Sequence, residues 1–111
     1  MEDAYFDFDR SNIRSDAAEA LQGDANYLKS RPNIVFTIEG NCDERGSEEY
    51  NLKLGDRRAT AAKGFLVKHG VDAKRIHTIS FGKDRPVCID SMESCWQRNR
   101  RAHIHFENGK E

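Results

Sequence analysis

A chain of 111 residues suits one domain built around one hydrophobic core. Charged residues make up 33% of it and hydrophobic ones 37%. The surface is therefore heavily solvated, yet the apolar positions recur with helix and strand periods, which argues against disorder. A net charge of −1 argues against a general polyanion binder, and no apolar run approaches the ~18–20 residues that span a bilayer.

In chain order, residues 4–9 alternate, with Ala4, Phe6 and Phe8 on one face and Tyr5 and Asp7 on the other. This pattern predicts a short strand. Residues 11–15 offer capping side chains for a helix running to about Ser30, with Ala17, Leu21, Ala25 and Leu28 as its apolar stripe. Pro32 stops that helix, because the residue before a proline disfavours helical backbone. Residues 34–39 form a β-branched, alternating strand ended by Gly40, and a polar loop over 41–50 carries Asp43. The second helix starts near Asn51, a good N-cap, and closes at Gly70, a good C′ residue. After a turn over 71–74, residues 75–81 form a third strand in which His77, Ile79 and Phe81 share a face. Residues 82–90 are a loop and 91–99 a short helix. Residues 101–106 are the last strand, with Ala102, Ile104 and Phe106 on one side. The tail from Glu107 reads as frayed. Strands alternating with helices in this order predict an α/β two-layer sandwich, with the helices on one face of the sheet.

The second helix holds the most informative residue. At about 100° per residue, Leu52, Leu54, Ala59, Ala61, Ala62, Phe65 and Leu66 fill one half of its wheel. Lys53, Asp56, Arg57, Thr60, Lys63 and Lys68 fill the other. Arg57 is polar-facing, but Arg58 falls in the apolar half beside Phe65 and His69. A guanidinium cannot lose its proton to escape burial, so it needs anionic partners or a route to water. Asp43, at the end of a strand, is the candidate partner. Asn51 lies two turns before Arg58 on the same helix face. A carboxylate, an amide and a guanidinium at one mouth can hold an amino acid by both its ends. The same three residues can equally be an ion pair stapling the loop to the helix.

Other chemistry is thinner. His103 and His105 stand at i and i+2 on a strand, without a third ligand at a diagnostic spacing, and read as exposed strand histidines rather than a metal site. Trp96 among Arg98, Arg100 and Arg101 is weak grounds for nucleic-acid binding in a net-acidic chain. Cys42 beside Asp43 has no placed histidine, and neither a nucleophile elbow nor a phosphate loop is present. Cys88 and Cys95 bound an eight-residue loop, and spacing alone leaves open whether they are bridged or two thiols. Met1-Glu2-Asp3 is acidic and no apolar stretch follows, so the segment reads as a mature domain without a secretory signal.

The run Gly40-Asn41-Cys42-Asp43-x-x-Gly46-x-x-x-Tyr50-Asn51-x-x-Leu54-Gly55-x-x-Arg58-Ala59 resembles the signature of OmpA-like peptidoglycan-binding domains. The similarity is nearest to the peptidoglycan-associated lipoproteins of the Tol–Pal system. Tyr5-Phe6-Asp7-Phe8-Asp9, Asp43-Glu44-Arg45-Gly46, Ser80-Phe81-Gly82-Lys83-x-x-Pro86 and Asn99-Arg100-Arg101-Ala102 share it. It covers residues 4–106 of a single domain taken as 1–111. The resemblance implies a mixed four-stranded sheet and a non-catalytic function with no cofactor or metal. In that family the residues matching Asp43 and Arg58 hold the free end of meso-diaminopimelate in a wall stem peptide, and the one matching Asn51 lines the site. The backbone of the pair matching Phe6 and Asp7 contacts the ligand, and Arg101 is a further candidate. The resemblance also implies the periplasmic face of the outer membrane, a TolB-like protein partner and a lipid anchor upstream. An oxidising periplasm would favour the Cys88–Cys95 bridge and leave Cys42 as a free thiol. Cys42 stands where the family usually has a small or hydroxyl residue. Two other functions stay open on the residues alone: a thiol- or metal-dependent wall peptide hydrolase, and a purely protein-binding scaffold.

Overall fold

The computed structural model describes residues 1–107. Its elements are β1 (Ala4–Tyr5), α1 (Ser15–Lys29), β2 (Phe36–Asn41), α2 (Glu48–Lys68), β3 (Ile76–Gly82), α3 (Glu93–Asn99) and β4 (Arg101–Phe106), with a 3-10 turn at Ala73–Arg75. Among the described residues the strands form one mixed four-stranded sheet in the order β1-β4-β2-β3. β4 runs antiparallel to both β1 and β2, and β2 is parallel to β3. This is the α/β architecture expected from the element order.

The core lies between the sheet and the two long helices. Ala17, Leu21, Ala25 and Leu28 of α1 pack with Ala59, Ala62 and Leu66 of α2 over Phe36, Ile38, Ala102, Ile104 and Phe106 of the sheet. The α1 stripe and the inward side of β4 thus follow the period-3.6 and period-2 patterns of the sequence. His77, Ile79 and Phe81 face away from this core, on the side of the sheet that no long helix covers.

Gly40 does not end β2; it sits inside the sheet, opposite Ala102 on one side and Ser80 on the other. It is glycine because α2 crosses directly above it. A Cβ on Gly40 would lie 1.7 Å from the carbonyl oxygen of Gly55. That close approach sets the depth of α2 on the sheet.

Several boundaries differ from expectation for local reasons. β1 stops at Tyr5, because its partner β4 begins at Arg101. One more bond follows, from Phe6 N to Arg100 O (2.9 Å). The chain then turns away at Asp9, whose φ is +57°, and Phe8 is exposed rather than inward. α1 begins at Ser15 behind Arg14, which makes no side-chain cap. α2 begins a turn earlier than expected. Ser47 is its N-cap, accepting from Tyr50 N at 3.1 Å, so Asn51 lies within the helix. Leu52, placed on the apolar half of the wheel, is exposed, and Ala61 and Phe65 are only half-buried. α3 starts at Glu93, two residues late. Glu107 is not frayed: its N–H donates to Val35 O at 3.0 Å, and its carboxylate meets Thr37 and His77. Residues 108–111, the rest of the expected frayed tail, lie outside the described residues.

Cys88 and Cys95 are disulfide-bonded, with Cα atoms 5.3 Å apart. The side chain of Asn99 also clamps this loop. Its Oδ1 accepts from Val87 N and Cys88 N, and its Nδ2 donates to Cys88 O.

Four stability outcomes follow from this packing. Gly40→Ala is expected to destabilise the protein by about 1–3 kcal/mol or more in urea denaturation, since backbone must shift to admit the Cβ. Gly64→Ala, where nothing lies within 4 Å of the new Cβ, is expected to stabilise by about 0.5–1 kcal/mol. Reduction of Cys88–Cys95 lowers stability by at most about 2.5 kcal/mol, the loop-closure entropy of so short a loop. Mass spectrometry of unreduced, unfolded protein then finds one alkylated thiol, Cys42. The fourth outcome concerns Asp24, which is buried with Oδ2 unpartnered; burial pushes its carboxyl up to about 6. A pKa raised on folding stabilises the folded state below about pH 4, and that contribution is lost as pH rises through about 6. Asp24→Asn should flatten this part of the stability–pH profile.

Candidate ligand site

The sheet topology gathers the site at one end. β1, β2 and β3 all finish there, β4 starts there, and the N-terminal half of α2 lies over the same end. The bends after β1, the 42–46 loop and the first three turns of α2 enclose a cavity of about 90 Å³. Asp43, Asn51 and Arg58 all line it.

Arg58 has 0% exposure. Its Nε donates to Arg10 O (2.9 Å), Nη1 to Asn41 O (3.0 Å) and Nη2 to Asp7 O (3.0 Å). The Phe6 ring lies 5.3 Å from its guanidinium carbon. Every one of those acceptors is a neutral carbonyl, and three of the five guanidinium N–H groups are used. Burial, the largest influence, lowers the pKa of this guanidinium. Such a group keeps its proton at any physiological pH. The wall of the cavity therefore carries a full positive charge that no bonded carboxylate offsets, with two N–H groups to spare.

Asp43 is not the partner of Arg58 that the sequence suggested. Its carboxylate is held by Arg45, two residues on, and by Arg100 at the start of β4. Arg45 Nη2 stands 2.8 Å and Arg100 Nη1 3.2 Å from Oδ2. The Arg45 N–H also donates to Oδ1 at 3.0 Å. Local geometry explains the exchange of partners. Arg45 reaches Asp43 within a tight loop, whereas Arg58 is already committed to main chain. Burial works to raise the Asp43 pKa, but the hydrogen bonds from Arg45 and Arg100 outweigh it and hold the carboxyl below its ordinary value.

Asn51 serves the loop. Its side-chain nitrogen donates to Arg45 O (2.8 Å) and Ser47 O (3.0 Å), and its main-chain carbonyl accepts from the Cys42 thiol (3.3 Å). Phe6 and Asp7 enter through main chain. Phe6 O accepts from Arg100 Nε and Asp7 O from Arg58, while the Asp7 side chain points out to Arg14. Arg101 is not brought to the cavity. It lies on the opposite face of the sheet, 3.6 Å from Asp3 and within bonding distance of Arg85 O. His103 bonds Asp3 on that same face, and its pKa is raised by that bond.

Sequence reasoning missed Arg100. This buried side chain links Phe6 O, Asp43, Glu93 and Gln97. The signal was available, because alternation that turns Arg101 outward turns its predecessor inward. It also missed Arg45, whose guanidinium lies between the rings of Phe8 (3.9 Å) and Trp96 (4.0 Å). Trp96 Nε1 in turn donates to Glu44 at 2.9 Å.

A small cavity lined by a buried guanidinium and by a carboxylate has the chemistry of a zwitterion site. Burial pushes the Cys42 thiol up to about 11, so at neutral pH it is a packing group and not a nucleophile.

Residues 5–100 match the OmpA family. The peptidoglycan-associated lipoprotein of Agrobacterium fabrum is 51% identical over 98 residues, 88% of this chain and 55% of the relative. That of Haemophilus influenzae is 43% identical over 102 residues, 92% of this chain and 67% of the relative. The chain thus spans little more than half the length of the first of these. The crystal structure of the peptidoglycan-associated lipoprotein from Burkholderia pseudomallei superposes with a TM-score of 0.91 at 40% identity, covering 96% of this chain and 91% of that one. The C-terminal domain of Helicobacter pylori MotB shares the fold, with a TM-score of 0.87 at 18% identity over 96% of this chain and 84% of that one. A match over most of its length, with relatives at this identity, makes the chain a member of the OmpA family.

Proposed function

We propose that the chain binds peptidoglycan without cleaving it, through the meso-diaminopimelate of an uncrosslinked stem peptide. The observation that carries this reading is Arg58, a buried charge bonded only to carbonyls, lining a cavity that Asp43 shares. The α-carboxylate of the free diaminopimelate end takes Arg58, and the neighbouring ammonium is directed to Asp43. The names of the relatives, which are peptidoglycan-associated lipoproteins, support the wall as the source of that ligand. On this reading the domain works at the periplasmic face of an outer membrane, held there by a lipid anchor upstream of residue 1. It tethers that membrane to the wall as part of a Tol–Pal complex with a TolB-like partner. The raised pKa of the Cys42 thiol speaks against a thiol hydrolase.

The test is a pull-down with purified peptidoglycan, scored for both binding and cleavage. Arg58→Ala should weaken binding at least ~30-fold, because truncating one partner of a desolvated charge contact costs on the order of 2–5 kcal/mol. Arg57→Ala, on the polar side of α2, should leave binding nearly intact. A denaturation curve of Arg58→Ala separates lost binding from lost folding, since Arg58 also bonds three main-chain carbonyls. Amidating the α-carboxylate of the ligand or acylating its amine should each remove binding, and a lysine-type wall should bind poorly. Equal losses in the two arginine variants, or full binding to the lysine-type wall, would sink this reading.

A further inference from the structure

On the proposed reading, Asp43 receives the ammonium of the ligand, yet two arginines already occupy its carboxylate. They are held very differently. The Arg100 side chain is 3% exposed, and it also bonds Phe6 O, Glu93 and Gln97. Removing it from Asp43 would dismantle the start of β4. Arg45 is 32% exposed and meets Asp43 at 2.8 Å. Apart from Glu93 at 3.9 Å, its guanidinium otherwise rests only on the ring faces of Phe8 and Trp96. Phe8 is itself 54% exposed, so one side of this sandwich opens to solvent. Arg45 lines the ligand cavity together with Phe8 and Asp43.

We infer that Arg45 is an internal counter-ion of Asp43 that is displaced by the ligand's ammonium, which makes it a residue that sets specificity. The inference rests on the proposed function and adds a selection rule to it. Arg45 is tethered two residues from Asp43, so it competes at the high effective concentration of an intramolecular group. A simple amine has nothing with which to overcome that advantage. A zwitterion does, because its carboxylate anchors on Arg58 while its ammonium competes for Asp43. Arg45 thereby turns two adjacent charges into a joint requirement, and amines lacking the carboxylate are refused. Displacement also removes a cation from the face of Trp96, the one tryptophan in the chain, and so changes its fluorescence.

The experiment titrates the protein with meso-diaminopimelate and with 1,5-diaminopentane, the same carbon chain without carboxylates. Affinity is read by calorimetry and displacement by Trp96 emission. The wild-type protein should bind diaminopimelate with a change in emission and ignore the diamine. Arg45→Gln keeps the N–H bond to Asp43 but not the charge. It should bind diaminopimelate about three- to tenfold more tightly, the size of a partly exposed ion pair plus a cation–π contact. It should also begin to bind the diamine, without the emission change. Arg45→Lys, which keeps the charge and loses the planar stack, should fall between the two. Weaker binding of diaminopimelate by Arg45→Gln would make Arg45 a ligand contact and overturn the inference. Equal affinity with silent Trp96 emission would overturn it as well. In both cases wild-type binding leaves the proposed function standing. If folded wild-type protein binds neither diaminopimelate nor peptidoglycan, the functional reading falls and the inference falls with it.

Discussion

A guanidinium can be buried without a carboxylate only where main-chain carbonyls converge on it in its own plane, and this structure is arranged around meeting that condition at Arg58. The acceptors come from residues 7, 10 and 41, two segments far apart in the chain that the sheet brings to one end. Two of them belong to the bend after β1, where Asp9 adopts a positive φ, and the third is the last residue of β2. The helix that carries Arg58 reaches this depth because Gly40 and Gly55 let two backbones touch. Truncating Arg58 therefore removes more than a ligand group, since it is also the pin that joins the N-terminal bend to the sheet.

The charges around the cavity are balanced in an unequal way. Arg100 and Asp43 are both buried and bonded to each other, and Glu93 at the surface completes that pair. Arg58 has no such completion. An anion entering the cavity would meet a charge already stripped of water, in surroundings where electrostatic interactions are strong, and the desolvation of that guanidinium is already met by folding. The depressed pKa of Asp43 keeps its carboxylate ionised. Its pairing contributes stability above the unfolded carboxylate pKa of about 3.9 and loses it only as pH falls through the lower folded value. The charge pattern is thus constant across the neutral range.

Much of the fold was legible because its elements obey a single period. The α1 stripe was placed by its 3.6-residue period and β4 by alternation, and Arg58 stood out because it broke the pattern of its helix. What escaped the sequence depended on contacts between distant segments. Gly40 reads as a strand terminator until the crossing of α2 is known. Asn51 reads as an N-cap, but Ser47, four residues earlier, is an equally good one and is followed by the acidic first turn of Glu48 and Glu49. The Asp43–Arg58 pair was the natural guess from charge, but Arg45 is nearer in sequence and the carbonyls satisfied Arg58 first. Arg101 drew notice as the arginine that begins a strand, while the inward one, Arg100, reaches the Asp43 carboxylate.

The contacts at Arg58 also indicate which features of the site tolerate substitution. Asp7 and Arg10 act on Arg58 through carbonyl oxygens, so their side chains are free to vary while the path of the chain is not. The reverse holds for Arg58, Asp43 and Arg100, where the side chain itself makes the bond. Asn51 and Ser47 form a third class, since they hold the 42–46 loop at the height that lets Asp43 share a cavity with Arg58. A substitution at Asn51 would therefore act by moving Asp43 rather than by deleting a contact of its own. Its effect should be greatest on ligands that need both charged ends, because the separation between carboxylate and guanidinium is what Asn51 maintains.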